Sequence, residues 1–290
     1  MTQAVTFEDA GLGQWGEEDV VFEVTAERIA EYAAATNDPI AAHLAGEVAS
    51  PVFAVVPTFF SMAPAALGVA PVELLMKLVH GEQDFHFHRP IRPGDVLTCR
   101  SKATGYAHLS TGSTVVVYAE TCAADGELVN EQWITAFFRG VDSGRTIGEL
   151  APGHALDPAA ITGPPAAVVT QHVDEDQTFR YSPASGDPMP IHLDDEIARM
   201  SGLPGIINHG LCTMAFTSWA ALQELGGGDV ARLKRFAVRF AKPVLPGQDM
   251  TTSFWKLEDA TVDAGTTAYG FRTEVDSALV LTDGLAVLTD

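Results

Sequence analysis

From Gly210 to Leu225 apolar side chains fall on nearly every face of a helical projection: Leu211, Met214, Ala215, Phe216, Trp219, Ala220 and Leu222. Glycines 226–228 follow at once and stop a helix there. A helix that is apolar all round has to be wrapped by other chain. The segments after it alternate instead, as strands with one covered face do. Phe236, Val238 and Phe240 alternate with polar neighbours, and residues 266–275 and 278–288 extend the pattern. The first half reads the same way. Residues 51–72 carry no charge and read as a loop followed by a buried helix; Phe85 and Phe87, 113–120 and 132–139 read as strands. Prolines 51, 57, 64 and 71 break the uncharged stretch about every seven residues, which excludes a membrane span of otherwise sufficient length. Each half opens with a short helix, with Thr25 or Asp174 as N-cap and Gln177 at the capping-box position. The expected architecture is α+β: one buried helix wrapped by a strongly curved antiparallel sheet, twice over.

The two halves are copies. At an offset of 149, Val24, Tyr32, Ala35, Asp38, Pro39, His43 and Leu44 match Val173, Tyr181, Ala184, Asp187, Pro188, His192 and Leu193. Seven identities in 21 positions compare with roughly one or two from average composition. At an offset of 153, Pro90, Pro93 and Gly94 match Pro243, Pro246 and Gly247. The copies cover about 24–139 and 173–290. Residues 140–167, rich in Gly and Pro, form the linker, so the expected division is 1–139, 140–167 and 168–290.

Composition narrows the class. Of 290 residues, 47% are apolar and 19% charged, enough for a sizeable core. The net charge of −21 repels phosphate backbones and anionic bilayers, which argues against nucleic-acid and membrane partners. Cys99, Cys122 and Cys212 show no CxxC spacing, so neither a disulfide framework nor a zinc site is expected, and a reducing cytosol suits them. The start of the chain lacks basic and apolar leader regions, and its end lacks a peroxisomal tripeptide; cytoplasmic residence is expected.

The candidate chemistry lies in the second copy. Asp187 and His192 stand five apart in a Gly/Pro-rich loop that can bring both side chains together. A carboxylate beside an imidazole can hold a water and move its protons. Gly210 opens the buried helix, where its N–H lacks an intrahelical partner and sits at the positive end of the dipole, suited to a developing oxyanion. Together these point to adding water to, or removing it from, a carbonyl-conjugated double bond.

The string Tyr181-Ser182-Pro183-Ala184-Ser185-Gly186-Asp187-Pro188-Met189-Pro190-Ile191-His192, with His209-Gly210-Leu211 beyond it, resembles the signature of MaoC-like (R)-specific enoyl-CoA hydratases. That family, also called hydratase 2, includes bacterial 3-hydroxyacyl-thioester dehydratases. The paired copies resemble its double hot-dog form, and residues 87–95 share in the likeness. The resemblance implies that Asp187 and His192 activate water and that the Gly210 N–H binds the thioester oxygen. It implies a trans-2-enoyl thioester of coenzyme A or acyl carrier protein as substrate, an (R)-3-hydroxyacyl thioester as product, no cofactor and no metal, and it admits a homodimer. One position departs: the family usually has Asn two residues after the Asp, and here it is Met189. Alternatives are a hydratase of a short, branched or dicarboxylic enoyl-CoA, and a non-catalytic acyl-thioester binding subunit.

Other features receive plainer readings. At the offset of 153, Gly210 falls on Pro57, which has no N–H, so the first copy is expected to be silent despite Asp38 and His43. Arg239, Lys242 and Arg92, with Arg89 and Arg235 nearby, are the candidates for meeting substrate phosphates. His209 is expected to cap the helix or to line the site, with the structural role favoured, and Tyr181, repeated by Tyr32, to pack. His86 and His88 lack a third metal ligand, and the GxGxxG match at 11–16 lacks a βαβ setting.

Overall fold

The computed structural model describes residues 3–258 and 262–290; Met1 and Thr2, where the leader reading begins, lie outside them. The helices are α1 (Ala26–Ala35), α2 (Ala41–Leu44), α3 (Val55–Leu67), α4 (Gln177–Ser185), α5 (Asp195–Met200) and α6 (Gly210–Leu225). The strands of the first half are β1 (Gln3–Ala4), β2 (Val20–Glu23), β3 (Leu78–Phe87), β4 (Val96–Leu109), β5 (Gly112–Ala123), β6 (Leu128–Arg139), β7 (Val141–Asp142) and β8 (Ile147–Gly148). Those of the second are β9 (Ala167–His172), β10 (Leu233–Phe240), β11 (Asp249–Lys256), β12 (Thr266–Val275) and β13 (Ala278–Thr289).

The chain forms two compact units. One comprises residues up to Glu23, Pro57–His86 and Val96–Gly153; the other comprises Val24–Val56, Phe87–Asp95 and His154–Asp290. In the first unit the strands run in the order β2-β4-β5-β6-β3, and in the second β9-β11-β12-β13-β10. Both orders place the first strand of a copy at one edge and the second strand at the other. In the second unit every neighbouring pair is antiparallel.

The core of the second unit follows from its pattern. Leu211 through Leu222 of α6 are all buried, as an all-round apolar helix requires. The inward residues of the sheet meet each other as rings: Phe271 lies 5.0 Å from Phe236 and 5.3 Å from Phe254. The repeated Pro-x-x-Pro-Gly turns close the same way. Gly94 N–H donates to Val24 C=O (2.8 Å) and Gly247 N–H to Val173 C=O (2.7 Å). Both glycines hold φ of +91° and +82°, which a side chain would strain.

Two expectations are corrected here. The N-cap of α4 is Asp176, not Asp174, and its side chain makes no cap bond. Asp174 instead pairs with Arg180 and Asn37, although Gln177 does reach back to the Asp174 N–H (3.3 Å). Thr25 caps α1 as expected, accepting from Arg28 N–H. The helix expected within 51–72 starts with a 3-10 turn at Pro51–Ala54 and is covered on one side only, Phe60 being 66% exposed. Of the linker, 147–148 pairs with β4, and His154 and Leu156 bond to Asp283.

Candidate active site

Helix α4 ends at Gly186, whose left-handed φ of +80° turns the chain sharply into Asp187. Ser182 Oγ donates to the Asp187 carbonyl (2.7 Å), fixing that turn from within the helix. The Asp187 carboxylate then accepts from the Met189 N–H (3.0 Å). A 3-10 turn at Pro190–His192 delivers His192, whose Nδ1 bonds the Ile207 carbonyl (2.9 Å). A carbonyl only accepts, so Nδ1 carries the proton and the lone pair lies on Nε2. His209, the N-cap of α6, stacks on His192 with ring centroids 3.8 Å apart and planes 24° off parallel. Ligand-type atoms of Asp187, His192 and His209 all lie within 4.8 Å of one another. Gly210, the first residue of α6, comes next. A Cβ built on it would meet the Phe240 ring at 3.2 Å, so the backbone here faces an aromatic wall at close range.

The electrostatics follow from burial. Loss of water raises the Asp187 carboxyl above its ordinary value, opposed by the His192 charge and the Met189 N–H. The same loss lowers His192, opposed by its Ile207 bond and the Asp187 charge. The two proton affinities are thereby brought closer together. Burial, with the His192 charge second, pushes His209 down to about 2, which keeps that ring neutral.

The first copy assembles the same residue types differently. His43 Nδ1 contacts Asp38 Oδ2 directly at 2.7 Å, and both side chains are fully buried. His43 Nε2 is buried without a partner, as is Ser50 Oγ. The matching backbone bonds set the register: Ala49 N–H donates to Ile91 C=O, and Asn208 N–H to Val244 C=O. Ile91 and Val244 are repeat partners, so Ala49 matches Asn208, Ser50 matches His209 and Pro51 matches Gly210. Pro57 is thus the wrong partner for Gly210; the residue at that position is Pro51, which also lacks an N–H.

The remaining sequence candidates separate. Arg239, Lys242 and Arg92 are exposed. Arg89 is committed to a two-bond ion pair with Asp95 (2.9 and 3.1 Å). Tyr181 bonds Tyr32, hydroxyl to hydroxyl at 3.2 Å, with both rings buried, so the repeated tyrosines pack on each other. His86 lies against Trp133 (4.7 Å) and near Asp84. His209 makes no side-chain cap bond, and its place against His192 carried no signal beyond its position just before Gly210.

The fold and site define a class: a double hot-dog protein with an aspartate and a histidine brought together near the start of a buried helix. Residues 158–277 match the MaoC like domain, and 10–132 match the FAS1-like, dehydratase domain region. A 3-hydroxyacyl-thioester dehydratase Y of Mycobacterium tuberculosis is 32% identical over 220 residues, 71% of each chain. A probable enoyl-CoA hydratase 2 of Dictyostelium discoideum is 29% identical over 214 residues, 73% of this chain and 70% of that one. The mouse peroxisomal multifunctional enzyme type 2 is 34% identical over 182 residues, 62% of this chain but 24% of that protein. Among solved structures, a MaoC-like dehydratase from Phytophthora capsici superposes with TM-score 0.79 at 23% identity, covering 97% of both chains. A Mycobacterium tuberculosis protein described as a double hotdog fold superposes at 0.62 and 16% identity, covering 96% of both. This chain belongs to the MaoC-like hydratase 2 and 3-hydroxyacyl-thioester dehydratase family, and it is an enzyme of the hydro-lyase class.

Proposed function

We propose that the chain reversibly hydrates a trans-2-enoyl thioester to the (R)-3-hydroxyacyl thioester, with the chemistry confined to the second copy, 168–290. One observation carries the assignment: Asp187 and His192 converge, half-buried and buried, beside the first residue of α6. A water held between the carboxylate and His192 Nε2 adds its oxygen to C3. Its proton goes to the pair, and a proton from the pair reaches C2. The Gly210 N–H takes the thioester oxygen as negative charge builds there. Each turnover consumes one water and leaves the pair as it began.

Met189 does not dismantle this arrangement, because the contact it supplies to Asp187 comes from its backbone N–H. Ile40 N–H holds Asp38 in the same way (2.9 Å). That favours an active enzyme over a binding subunit. The substrate is an acyl thioester of coenzyme A or acyl carrier protein, with Arg239, Lys242 and Arg92 as the groups that meet phosphate. Cytoplasmic residence rests on the three free cysteines; among the described residues no helix is long and apolar enough to cross a membrane.

The test is the loss of enoyl-thioester absorbance when crotonyl-CoA meets the purified protein. Asp187→Ala and His192→Ala each lower turnover by about 10²–10⁴-fold, the range of a general acid–base group. Retention of more than a third of the wild-type rate by either variant rejects the assignment.

A further inference from the structure

The two copies carry the same Asp and His at the same spacing, yet only one keeps them apart. In the first copy His43 turns its Nδ1 onto Asp38. In the second His192 turns its Nδ1 onto the Ile207 carbonyl and leaves the Asp187 carboxylate to the Met189 N–H. The difference coincides with one register position. The residue before the central helix is Ser50 in the first copy and His209 in the second. We propose that His209 is a positioning residue: its ring, wedged against His192, holds the catalytic pair open. This inference rests on the Asp187–His192 reading above.

Three contacts make the wedge. One face of His209 stacks on His192 at 3.8 Å. The ring also lies 4.9 Å from Tyr181, which Tyr32 backs through its hydroxyl. Nε2 reaches the Asp187 carbonyl at 3.4 Å, so Nε2 carries the proton and Nδ1 keeps the lone pair. That Nδ1 is buried with no partner, so the ring makes a hydrogen bond to the loop on one side only. With a serine in its place, as at position 50, nothing fills the space that prevents His192 from rotating onto Asp187. A direct pair would be dry and charge-stabilised; the carboxylate would no longer be available to water.

Few other charges bear on His192. On its own loop there is Asp187. From α6 and its cap there are His209 and, deeper, Cys212, whose thiol burial pushes up to about 12. From α4 there are Tyr181, raised well above its ordinary value by burial, and Arg180, bound to Asp174 and Asp176. From α5, Asp194 and Glu196 are exposed, and Asp195 and Arg199 pair with each other at the surface. Asp187 is the one carboxylate of this set that His192 would meet directly.

The experiment compares His209→Ser with His209→Phe, measuring kcat and KM for crotonyl-CoA across pH, with thermal melts to verify folding. His209→Ser lowers kcat by about 10²-fold, the usual cost of misplacing a reacting group, with little change in KM. Its acid limb moves to higher pH, because a His192 paired with Asp187 holds its proton longer. His209→Phe keeps the stacked face and keeps the acid limb where the wild type has it. An unshifted acid limb in the serine variant, or a loss confined to KM, overturns the proposal. If the serine variant fails to fold, the phenylalanine variant decides: a shifted acid limb there rejects the wedge, and an unshifted one supports it. Asp187→Asn run alongside separates the two claims. An active Asp187→Asn defeats the reading of the pair itself; an inactive one beside a normal His209→Ser defeats only the wedge.

Discussion

Replacing Gly210 by proline takes the hydrogen off its backbone nitrogen and puts a ring carbon in its place. Such a change usually threatens a helix, but this position tolerates it for reasons visible in the structure. Gly210 is the first helical residue, whose N–H has no acceptor within the helix. Proline demands an extended residue before it, and His209 already sits at φ −60°, ψ 134°. The first copy has made this substitution: Pro51 opens its helix behind Ser50 at φ −64°, ψ 155°. The steric cost comes from Phe240, whose ring would lie 3.2 Å from the new Cβ. Gly210→Ala carries that same Cβ while keeping the N–H, so it measures the crowding alone. The loss of one oxyanion donor is about 2.7–4 kcal/mol, or about 10²–10³ in kcat. Gly210→Pro should therefore fall about 10²–10³-fold below Gly210→Ala in the crotonyl-CoA assay, with both variants melting cooperatively. Equal rates in the two variants would show that the donor lies elsewhere and that the Gly210 assignment is wrong.

Further outcomes follow from the same geometry. Asp38→Ala and His43→Ala leave kcat within about threefold, as changes away from the chemistry do, but each strands a buried group and costs about 3–5 kcal/mol of stability by urea titration. A large loss of turnover with unchanged stability would mean that the first copy works. Arg239→Glu or Arg92→Glu raises KM for coenzyme A thioesters more than for pantetheine analogues; equal effects on both would remove the phosphate role. Burial holds the His209 imidazole down to about 2 in the folded chain, below the ordinary value of about 6.5 that it regains on unfolding. The unfolded state thus binds the extra proton between those limits, so stability falls as pH drops below about 6.5, by up to about 1.4 kcal/mol per pH unit for this group. His209→Phe removes that component, and urea titrations at pH 7 and 5 show whether the slope drops by one proton.

The sequence exposed elements whose inward residues are large and hid those whose inward residues are small. β12 and β13 match the segments read as 266–275 and 278–288 almost to the residue. α6 matches from Gly210 to Leu225, because an all-apolar run ending in three glycines leaves little freedom. β4 went unread, since its inward face is Leu97, Cys99, Ser101, Ala103 and Gly105, too small or polar to set up an alternation. The register of the central helix was misread for a different reason. The offset between copies goes from 149 at His43/His192 to 159 at Ala49/Asn208 and back to 153 at Ile91/Val244. The second copy gains α5 before its helix; after the helix the first copy has the longer connection, its 3-10 turn spanning Val72–Lys77 against Val230–Arg232 in the second. Two insertions on opposite sides partly cancel, so the net change of four concealed both. That Asp187 and His192 come together near the first residue of α6 was legible, because the loop spacing and the helix start tie them to fixed places. The His192–His209 stack was not, because it depends on how a loop with an inserted helix settles.

The comparison of the copies shows what a spacing does and does not specify. Asp-x-x-x-x-His with an Asx turn recurs in both, and the turn bonds agree within 0.1 Å (2.9 and 3.0 Å). The local sequence therefore fixes where the carboxylate starts. What the pair becomes is decided from a distance, at the two residues that open the central helix. Ser50-Pro51 allows His43 to close on Asp38 and supplies no donor, so that copy satisfies its carboxylate internally. His209-Gly210 holds His192 away and leaves an N–H free. An unsatisfied buried polar group costs about 1–3 kcal/mol, and both copies bear it, at His43 Nε2 and Ser50 Oγ in the first and at His209 Nδ1 in the second. Tight packing around α6 and the tyrosine pair supplies the stability that such a site consumes. The first copy thus buries its Asp and His against each other while the second holds the same two residues apart, although the two loops are nearly identical.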